Sequence, residues 1–389
     1  PSSLYTHGDL GETLEGVDQV ELLTVDLLNG VIKFLDTPTL IVLKAVLTPN
    51  QVIFTAMPED RVLGVVHCNN KPIFLYAIDR QTGTVRLLDD NYCYGQGLFH
   101  DADRLNIVYL KARLGGAHYN YSKICTRSSV DGFANELVVL DQLVGQRGPL
   151  GIIPRTQTPT RYFHLDVECS FYRRILRVDL KEKTMKFLSD PNESWSILHV
   201  LSDDTLLVQG SAIGSAPILG CLKNGAFVWR HPIQGPYKAE LLFQKDTSGA
   251  LLVKADKDSD GRNKSVVMMI HGGPNGNYVD EYDRLSWCLL KHGIAICKVN
   301  YTGSSGYGQA GIDALMGRVG EADLEDCNLV YNLLNEKFEN VHLYGGSHGG
   351  YLAAKLACQV ENVKSCILLN PVINVWMNAV YCDIPDYYC

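Results

Sequence analysis

The residues best suited to chemistry lie at positions 345–350, which spell Gly-Gly-Ser-His-Gly-Gly around Ser347. The run fits the pattern G-x-S-x-G, in which a serine occupies a sharp turn between a strand and a helix. The serine backbone in such a turn is strained so that its hydroxyl projects above the sheet. The flanking positions must lack bulk, which explains Gly345 and Gly349, so we predict that Ser347 is a nucleophile. A glycine-rich turn with an incidental serine is the alternative.

A second glycine-rich segment could stabilise the negative charge that such a nucleophile creates on a substrate carbonyl. The sequence His-Gly-Gly-Pro at 271–274 directly follows an apolar run at 264–270 that predicts a strand. In α/β-hydrolases the loop at this place supplies one backbone N–H to the oxyanion hole, and the residue after the nucleophile supplies the other. We therefore predict Gly273 and His348 as the backbone donors. A simple tight turn after a strand is the alternative.

Neither His271 nor His348 is predicted to be the catalytic base. In this fold the triad runs along the chain in the order serine, acid, histidine, which neither position satisfies. A histidine next to the nucleophile contributes through its backbone N–H, and His271 is expected to hold its own loop in place.

A third segment, residues 300–308, follows the next predicted strand and alternates glycine with tyrosine and small polar residues. Ligands bind beside the carboxyl ends of the strands in open α/β sheets, so this loop could line the substrate site. A loop that packs on the nucleophile turn without touching substrate is an equal alternative.

The elements that must position these segments follow from hydrophobic periodicity after residue 262. Short apolar runs predict strands, apolar residues three and four apart predict helices, and Gly293 predicts a helix end. Strands alternating with helices indicate a parallel sheet with helices on both faces. The predicted strands are 264–270, 294–299, 340–344 and 363–369, and the predicted helices are 279–292, 321–338 and 348–360.

Residues 1–240 have a different pattern, in which an apolar run, an aspartate, a turn and another apolar run recur. Repeats of about 40–60 residues built from hairpins are typical of β-propeller blades, each a four-stranded sheet. Unrelated hairpins would show the same local pattern. The copies are 22–35 around Asp26, 74–88 around Asp79, 175–188 around Asp179, a weaker one at 136–144 around Asp141, and 218–229, which lacks the aspartate.

Composition narrows the function classes. The chain of 389 residues is 46% hydrophobic and 20% charged, as expected for globular domains. A formal net charge of −8 without Lys/Arg clusters argues against nucleic acid, and no apolar stretch approaches the ~18 residues that span a bilayer. The twelve cysteines include no Cys-x-x-Cys pair, so we expect reduced thiols, no zinc site and a cytoplasmic location.

These motifs together resemble the prolyl oligopeptidase superfamily, and most closely its acylaminoacyl peptidase branch. Besides 345–350, the resemblance rests on Asn-Pro-Val-Ile-Asn at 370–374, Asp-Ile-Pro-Asp at 383–386 and, more weakly, Cys-Asn-Asn at 68–70. It implies a serine exopeptidase that forms an acyl-enzyme on Ser347 and releases an N-acylated amino acid from short acylated peptides. It also implies that no cofactor is needed and that a propeller caps the active site, and it is compatible with a homo-oligomer.

The sequence departs from this family in two respects. Thr302 stands where the family often has arginine. The chain also ends before the expected catalytic acid and histidine: Glu361 falls too early for the acid, and Asp383 and Asp386 fall where the family has a conformational loop. We therefore expect an internal fragment whose acid, histidine and last strands are encoded after Cys389, and which is inactive alone because its serine lacks a base.

The predicted architecture is a partial β-propeller over 1–240, followed by an α/β-hydrolase catalytic domain over 241–389 that is incomplete at its C-terminal end. Another enzyme of the same fold remains an alternative, namely a dipeptidyl peptidase, an oligopeptidase or a carboxylesterase, although a propeller argues against a plain esterase. A non-catalytic propeller scaffold with a degenerate hydrolase domain is the alternative from another class. The intact segments 271–274 and 345–350 count against it.

Overall fold

The described strands form two kinds of sheet. Antiparallel sheets occupy the first part, and one mixed six-stranded sheet with helices occupies the second part, from residue 237 onward. Among the residues that the structure describes, no helix has the length and apolar character needed to cross a bilayer. The computed structural model describes residues 21–37, 39–58, 72–90, 93–101, 106–112, 122–128, 136–140, 161–202, 204–233, 235–255 and 264–382.

The described strands of the first part are β1 (Leu22–Val25), β2 (Ile32–Leu35), β3 (Leu40–Leu47), β4 (Gln51–Pro58), β5 (Phe74–Asp79), β6 (Val85–Asp89), β7 (Cys93–Asp101), β8 (Asn106–Ala112), β9 (Ser122–Ser128), β10 (Glu136–Leu140), β11 (Tyr162–Cys169), β12 (Tyr172–Asp179), β13 (Thr184–Phe187), β14 (Ser194–Ser202), β15 (Thr205–Ala212), β16 (Ser215–Lys223) and β17 (Ala226–Arg230). Within the described ranges they form meanders of neighbours in sequence: β1–β2, β3–β6, β7–β10, β11–β13 and β14–β17.

The predicted hairpins are confirmed wherever the structure describes them. The strand pairs β1–β2, β5–β6, β12–β13 and β16–β17 are antiparallel and coincide with four of the five sequence copies. The weaker copy around Asp141 continues past Leu140, and from there it lies outside the described residues. The recurring pattern of two apolar runs joined by a turn was therefore sufficient to locate these hairpins.

One hydrogen-bonding role explains the aspartate that recurs in this pattern. The Oδ1 atom of Asp26 accepts from the backbone N–H groups two and three residues further on, at 2.9 and 3.3 Å. Asp79 and Asp179 do the same at distances between 2.8 and 3.0 Å. These backbone bonds hold the carboxyl pKa of Asp26 and Asp79 below its ordinary value. Burial of Asp179 acts in the opposite direction and favours a higher pKa. The hydrogen bonds from Arg161 and from the backbone N–H groups of the turn outweigh it, so the pKa of Asp179 is also lowered.

The strands of the second part are β18 (Tyr237–Gln244), β19 (Gly249–Ala255), β20 (Ser265–Ile270), β21 (Ala295–Asn300), β22 (Asn340–Gly346) and β23 (Val363–Leu369). They form one sheet in the order β18-β19-β21-β20-β22-β23. The strands β20 to β23 are parallel, as the alternating pattern predicts. By contrast, β18 and β19 join the sheet antiparallel and have no predicted counterpart. The sheet begins at Tyr237, close to the predicted domain boundary at 240, which remains a prediction.

The described helices are α1 (Arg284–Lys291), α2 (Gly308–Asp313), α3 (Ala322–Asn335), α4 (His348–Gln359) and α5 (Val375–Tyr381). The first is shorter than the predicted helix 279–292, because Asp283 caps its N-terminus by accepting from the backbone N–H of Ser286. The preceding residues are held by tertiary bonds instead, since the N–H of Asp280 donates to the Phe171 carbonyl at 2.6 Å. Neither α2 nor α5 has a predicted counterpart.

The core of the second part lies between the sheet and the helices α3 and α4. The stripe predicted on α3 is buried, with Leu324, Cys327, Tyr331 and Leu334 at most 6% exposed. Leu352 of α4 is fully buried in the same cluster. Each fully buried aliphatic side chain contributes about 1.5–3 kcal/mol, so this packing fixes the junction between β22 and α4 at which Ser347 lies.

Candidate active site

Ser347 occupies the turn between β22 and α4 with φ 53° and ψ −121°. A non-glycine residue in such a conformation carries about 1–3 kcal/mol of strain, so the surrounding structure has to hold it. The N–H of Ser347 donates to the Leu369 carbonyl at 2.8 Å, and its own carbonyl accepts from Tyr351 and Val372 at 3.1 and 3.2 Å. The turn is therefore fixed by β23 and the segment after it, as well as by α4.

Close backbone contacts explain the glycines on either side of Ser347. A Cβ atom at Gly345 would lie 2.2 Å from the Gly349 carbonyl oxygen, and one at Gly349 would lie 2.2 Å from the Ile270 carbonyl oxygen. A side chain at either position would therefore force the backbone to move. The second contact also places the start of α4 against the end of β20.

Residues 271–278, which follow β20 and are here called the glycine loop, lie against Ser347. A Cβ atom at Gly272 would be 3.0 Å from the Gly346 carbonyl oxygen and 3.1 Å from the Ser347 Cβ. Gly273 has φ 137°, a conformation that residues with a side chain rarely adopt. The absence of side chains lets the loop backbone approach a carbonyl group bound at Ser347.

Ser347 and Gly273 line one cavity of about 540 Å³. This volume lies within the roughly 300–1,000 Å³ that is usual for small-ligand sites. The structure thus brings the predicted nucleophile and one predicted oxyanion donor to the same place. The other lining residues are Ile270, His271, Gly272, Gly276, Asn277, Tyr278, Tyr344, Gly346, Leu369 and Asn370.

His348 has its backbone and its side chain in different surroundings. Its N–H belongs to the first turn of α4, where helical N–H groups have no acceptor within the helix. Its imidazole is absent from the cavity lining, and Nε2 lies 2.7 Å from Oδ2 of Asp323, a fully buried side chain of α3. The imidazole therefore contacts Asp323, and the backbone N–H of His348 remains the predicted oxyanion donor.

Both ring nitrogens of His271 lie within hydrogen-bond distance of neighbouring residues. Nδ1 lies 2.8 Å from the Gly272 carbonyl oxygen, and Nε2 lies 2.8 Å from the Ser304 hydroxyl. The ring stacks on Tyr301 with centroids 4.3 Å apart, and the Tyr301 hydroxyl donates to the His271 carbonyl at 2.9 Å. These contacts hold the start of the glycine loop, which is the structural role expected from the sequence.

Residues 300–308 support the glycine loop and are absent from the cavity lining. The Nδ2 atom of Asn275 donates to the Gly303 carbonyl at 2.9 Å. The N–H of Ser305 donates to the Gly276 carbonyl at 3.0 Å. The segment therefore packs on the glycine loop, whereas the alternative expected from the sequence was packing on the nucleophile turn.

Thr302 holds the 300–308 segment to α3. The family that the sequence resembles often has arginine at this position. The N–H and the hydroxyl of Thr302 both donate to Oδ2 of Asp326, at 2.9 and 2.6 Å. Lys245 donates to Oδ1 of the same carboxylate at 3.0 Å. The neutral residue at 302 thus contributes two hydrogen bonds, and Lys245 supplies positive charge to Asp326.

The described residues do not bring a catalytic acid and base to the cavity. Within the described ranges no aspartate or glutamate lines it, and His271 is its one histidine. Glu361 lies beyond α4, where its backbone carbonyl accepts from the Tyr331 hydroxyl. Asp383 and Asp386 lie outside the described residues, so the positions of acid and base stay predictions. The same part of the chain holds no group of three His, Cys, Asp or Glu side chains suited to a metal ion.

Among the cavity-lining residues that were not singled out from the sequence are Asn277, Tyr278 and Tyr344. Burial raises the pKa of Tyr278 above its ordinary value, so its hydroxyl is a neutral hydrogen-bonding group at physiological pH. Tyr344 ends the predicted strand before the nucleophile, a position that could have indicated its role. Asn277 and Tyr278 lie in an irregular loop, where periodicity carries no information.

Sequence comparisons match this chain to known peptidases. Residues 282–385 match the sequence model of the prolyl oligopeptidase family. Over 84% of its length the chain is 28% identical to the acylamino-acid-releasing enzyme of Rattus norvegicus and 27% identical to that of Homo sapiens. The chain spans about half the length of these curated relatives, 49% of each. The resemblance predicted from the motifs is therefore confirmed.

Solved structures share the fold. The acylaminoacyl peptidase of Pyrococcus horikoshii matches with a TM-score of 0.73 at 15% identity, over 95% of this chain and 58% of that one. A dipeptidyl peptidase 4 of Porphyromonas gingivalis matches with a TM-score of 0.64 at 14% identity, over 92% of this chain and 53% of that one. At these identities the likeness shows the fold alone. The sequence matches identify the relatives of this chain as serine-type peptidases.

Proposed function

We propose that this chain, a relative of the serine peptidases of the prolyl oligopeptidase family, is part of an exopeptidase that releases an N-acylated amino acid from short acylated peptides. The observation that carries the proposal is the strained turn that presents Ser347 on the same cavity as Gly273. The similarity to acylamino-acid-releasing enzymes supports the substrate class.

In the proposed reaction, Oγ of Ser347 attacks the carbonyl carbon of the peptide bond that follows the N-acylated residue. The Oγ–C bond forms, the C–N bond breaks, and the serine proton passes through a general base to the leaving amine. The N–H groups of Gly273 and His348 bind the oxyanion, and each such donor stabilises the transition state by about 2.7–4 kcal/mol. Water then hydrolyses the acyl-enzyme and releases the N-acylated amino acid.

The general base and its acid are proposed to be a histidine and a carboxylate outside the described residues, which bring no such pair to the cavity. In this fold both groups follow the nucleophile along the chain, and His348 is the last histidine of the sequence. The chain spans 49% of the length of the rat relative, so the activity is proposed for the complete protein. A serine without its base is not activated, so the chain alone is expected to be inactive.

The antiparallel sheets are proposed to be blades of a partial β-propeller, and the six-stranded sheet part of an α/β-hydrolase domain, with the boundary near residue 240. Four-stranded meanders such as β3–β6, β7–β10 and β14–β17 support the propeller. The serine turn at the carboxyl end of the parallel strand β22 supports the hydrolase domain. The protein is proposed to act in the cytoplasm without a cofactor, as a monomer or a homo-oligomer.

The substrate class is tested with the full-length protein that contains this chain. Hydrolysis of an N-acetylalanyl p-nitroanilide is compared with that of free-amino dipeptidyl p-nitroanilides, with Ser347→Ala as the control. A preference for the acetylated substrate that is lost in the variant supports the proposal. A preference for the free-amino substrate favours the dipeptidyl peptidase alternative. Absence of any Ser347-dependent hydrolysis favours a non-catalytic scaffold.

A further inference from the structure

Glu168 connects the antiparallel part of the chain to the loops of the active site. It lies near the end of β11, and its side chain is fully buried. Its register partner across the hairpin is Arg173, whose Nη2 lies 3.5 Å from Oε1 of Glu168. The same guanidinium is closer to Glu281, at 2.8 Å. A buried carboxylate that shares its cation in this way depends on hydrogen bonds as well.

Two such hydrogen bonds come from the loops at the carboxyl ends of β20 and β21. Nδ2 of Asn277 donates to Oε2 of Glu168 at 3.2 Å, and the hydroxyl of Ser305 donates to the same oxygen at 2.9 Å. Asn277 is 109 residues from Glu168 in sequence, and Ser305 is 137 residues away. Hydrogen bonds to a charged acceptor are stronger than neutral ones, so this single oxygen holds both loops.

The tip of the β11–β12 hairpin makes further bonds at the same place. The N–H of Ser170 donates to the Gly306 carbonyl at 2.9 Å, and Nδ2 of Asn277 also donates to the Ser170 carbonyl at 3.1 Å. Nδ2 of Asn277 thus has two acceptors, the Glu168 carboxylate and the Ser170 carbonyl, and together they fix the orientation of the Asn277 amide. They leave its Oδ1 buried with no hydrogen-bond partner among the described residues. The position of Asn277 is therefore set by the hairpin, at the expense of one unsatisfied oxygen.

Asn277 lines the cavity together with Ser347 and follows Gly273 closely in the glycine loop. The start of the same loop is held by the Tyr301 hydroxyl and by the Ser304 contact to its histidine. The loop is thus fixed on both sides of Gly273. Before Gly273 it is held by the 300–308 segment, and after Gly273 it is held by that segment and also by the antiparallel part of the chain.

We propose that Glu168 is a positioning residue for the oxyanion donor. Its bonds to Asn277 and Ser305 hold the glycine loop so that the N–H of Gly273 is aimed at the reacting carbonyl. This inference rests on the proposed function. Donors of this kind act because they are already in place, and a displacement of about 1 Å can cost about 100-fold in rate. Because the oxyanion forms only in the transition state, loss of Glu168 is expected to lower kcat and to change KM little.

The kinetic test uses the full-length protein with an N-acetylalanyl p-nitroanilide. Glu168→Ala is expected to lower kcat by about 10- to 100-fold. Glu168→Gln retains an oxygen that accepts from Ser305, so it is expected to recover most of this loss. Glu182→Gln, in the exposed turn between β12 and β13, is the matched control and is expected to leave kcat unchanged. A loss confined to KM, or an equal loss in the control, would overturn the proposal.

A second measurement distinguishes this inference from the proposed function. Hydrogen exchange of peptides covering residues 271–278 does not require peptidase activity, and Glu168→Ala is expected to raise it there while α3 keeps its protection. If the wild type has no peptidase activity but Glu168→Ala still raises exchange over residues 271–278, the proposed function is refuted, and the finding that Glu168 holds the glycine loop in place is retained. Unchanged exchange in the glycine loop, or an increase spread evenly over the chain, would overturn the positioning role.

Discussion

Nε2 of His348 lies 2.7 Å from Oδ2 of Asp323, and this contact joins the first turn of α4 to the first turn of α3. The Asp323 side chain is fully buried, and that of His348 is 9% exposed. Tyr301 packs against the same imidazole with ring centroids 5.9 Å apart. The imidazole next to the nucleophile is thus part of the support for the serine turn.

The variant His348→Ala in the full-length protein tests this assignment. It should lower the free energy of unfolding by about 1–3 kcal/mol, because the buried Asp323 carboxylate loses a hydrogen-bond partner. Labelling of Ser347 by a fluorophosphonate should persist, since the predicted oxyanion donor is the backbone N–H. Denaturant unfolding and labelling rate are the measurements. If labelling fell by several orders of magnitude in a folded variant, the imidazole would be acting as the base.

Substitution of single glycines by alanine tests whether a glycine is required because of a close backbone contact. Gly345→Ala and Gly349→Ala each place a Cβ atom 2.2 Å from a carbonyl oxygen, so both should lower the free energy of unfolding by about 1–3 kcal/mol or more. Gly346→Ala is the matched variant, because its Cβ atom has no neighbour closer than 3.9 Å, and it should unfold at a higher temperature than the other two. Similar thermal midpoints for all three would show that the contacts do not matter.

Asp283 combines two roles that a pair of variants can separate. It caps α1 and lies 2.6 Å from Nζ of Lys298, whose side chain is 5% exposed. Asp283→Asn keeps the cap and removes the ion pair, whereas Asp283→Ala removes both, so alanine should destabilise by about 1 kcal/mol more. Chemical denaturation at neutral pH measures this difference. Equal destabilisation by the two variants would show that the cap contributes nothing.

The pH dependence of stability should reveal the buried carboxyl of Asp166. Burial raises its pKa well above the ordinary value, although Arg173 and the N–H of Ile197 partly oppose this. A carboxyl whose pKa is higher in the folded state favours folding at low pH, and this contribution is lost as pH rises through the folded pKa. Asp166→Asn should therefore gain stability relative to the wild type between pH 5 and pH 8, a range to be covered by urea unfolding. A constant or opposite difference would contradict the raised pKa.

Local features of the fold could be predicted from the sequence because neighbours in sequence determine them. The serine turn follows from the glycines around Ser347. The hairpins follow from Asp26, Asp79 and Asp179, whose Oδ1 atoms accept from backbone N–H groups two and three residues ahead. The parallel strands were found because each is a compact apolar run.

The remaining features depend on distant partners that periodicity does not show. The predicted helix start at 279 is wrong. The backbone N–H of Asp280 donates to the Phe171 carbonyl, and the helix cap forms at Asp283 instead. The contact between Glu168 and Asn277 joins residues 109 apart in sequence. Such pairs become visible only when the strands and loops are assembled.

The most direct measurement is fluorophosphonate labelling of the folded full-length protein, with the adduct located by peptide mass spectrometry. Ser347 has the strained turn, the adjoining glycine loop and the cavity that a nucleophile requires. We expect one adduct, on the peptide that contains Ser347, and none on that peptide in Ser347→Ala. An adduct on another serine, or no adduct in the folded wild type, would contradict the assignment of Ser347 as the nucleophile.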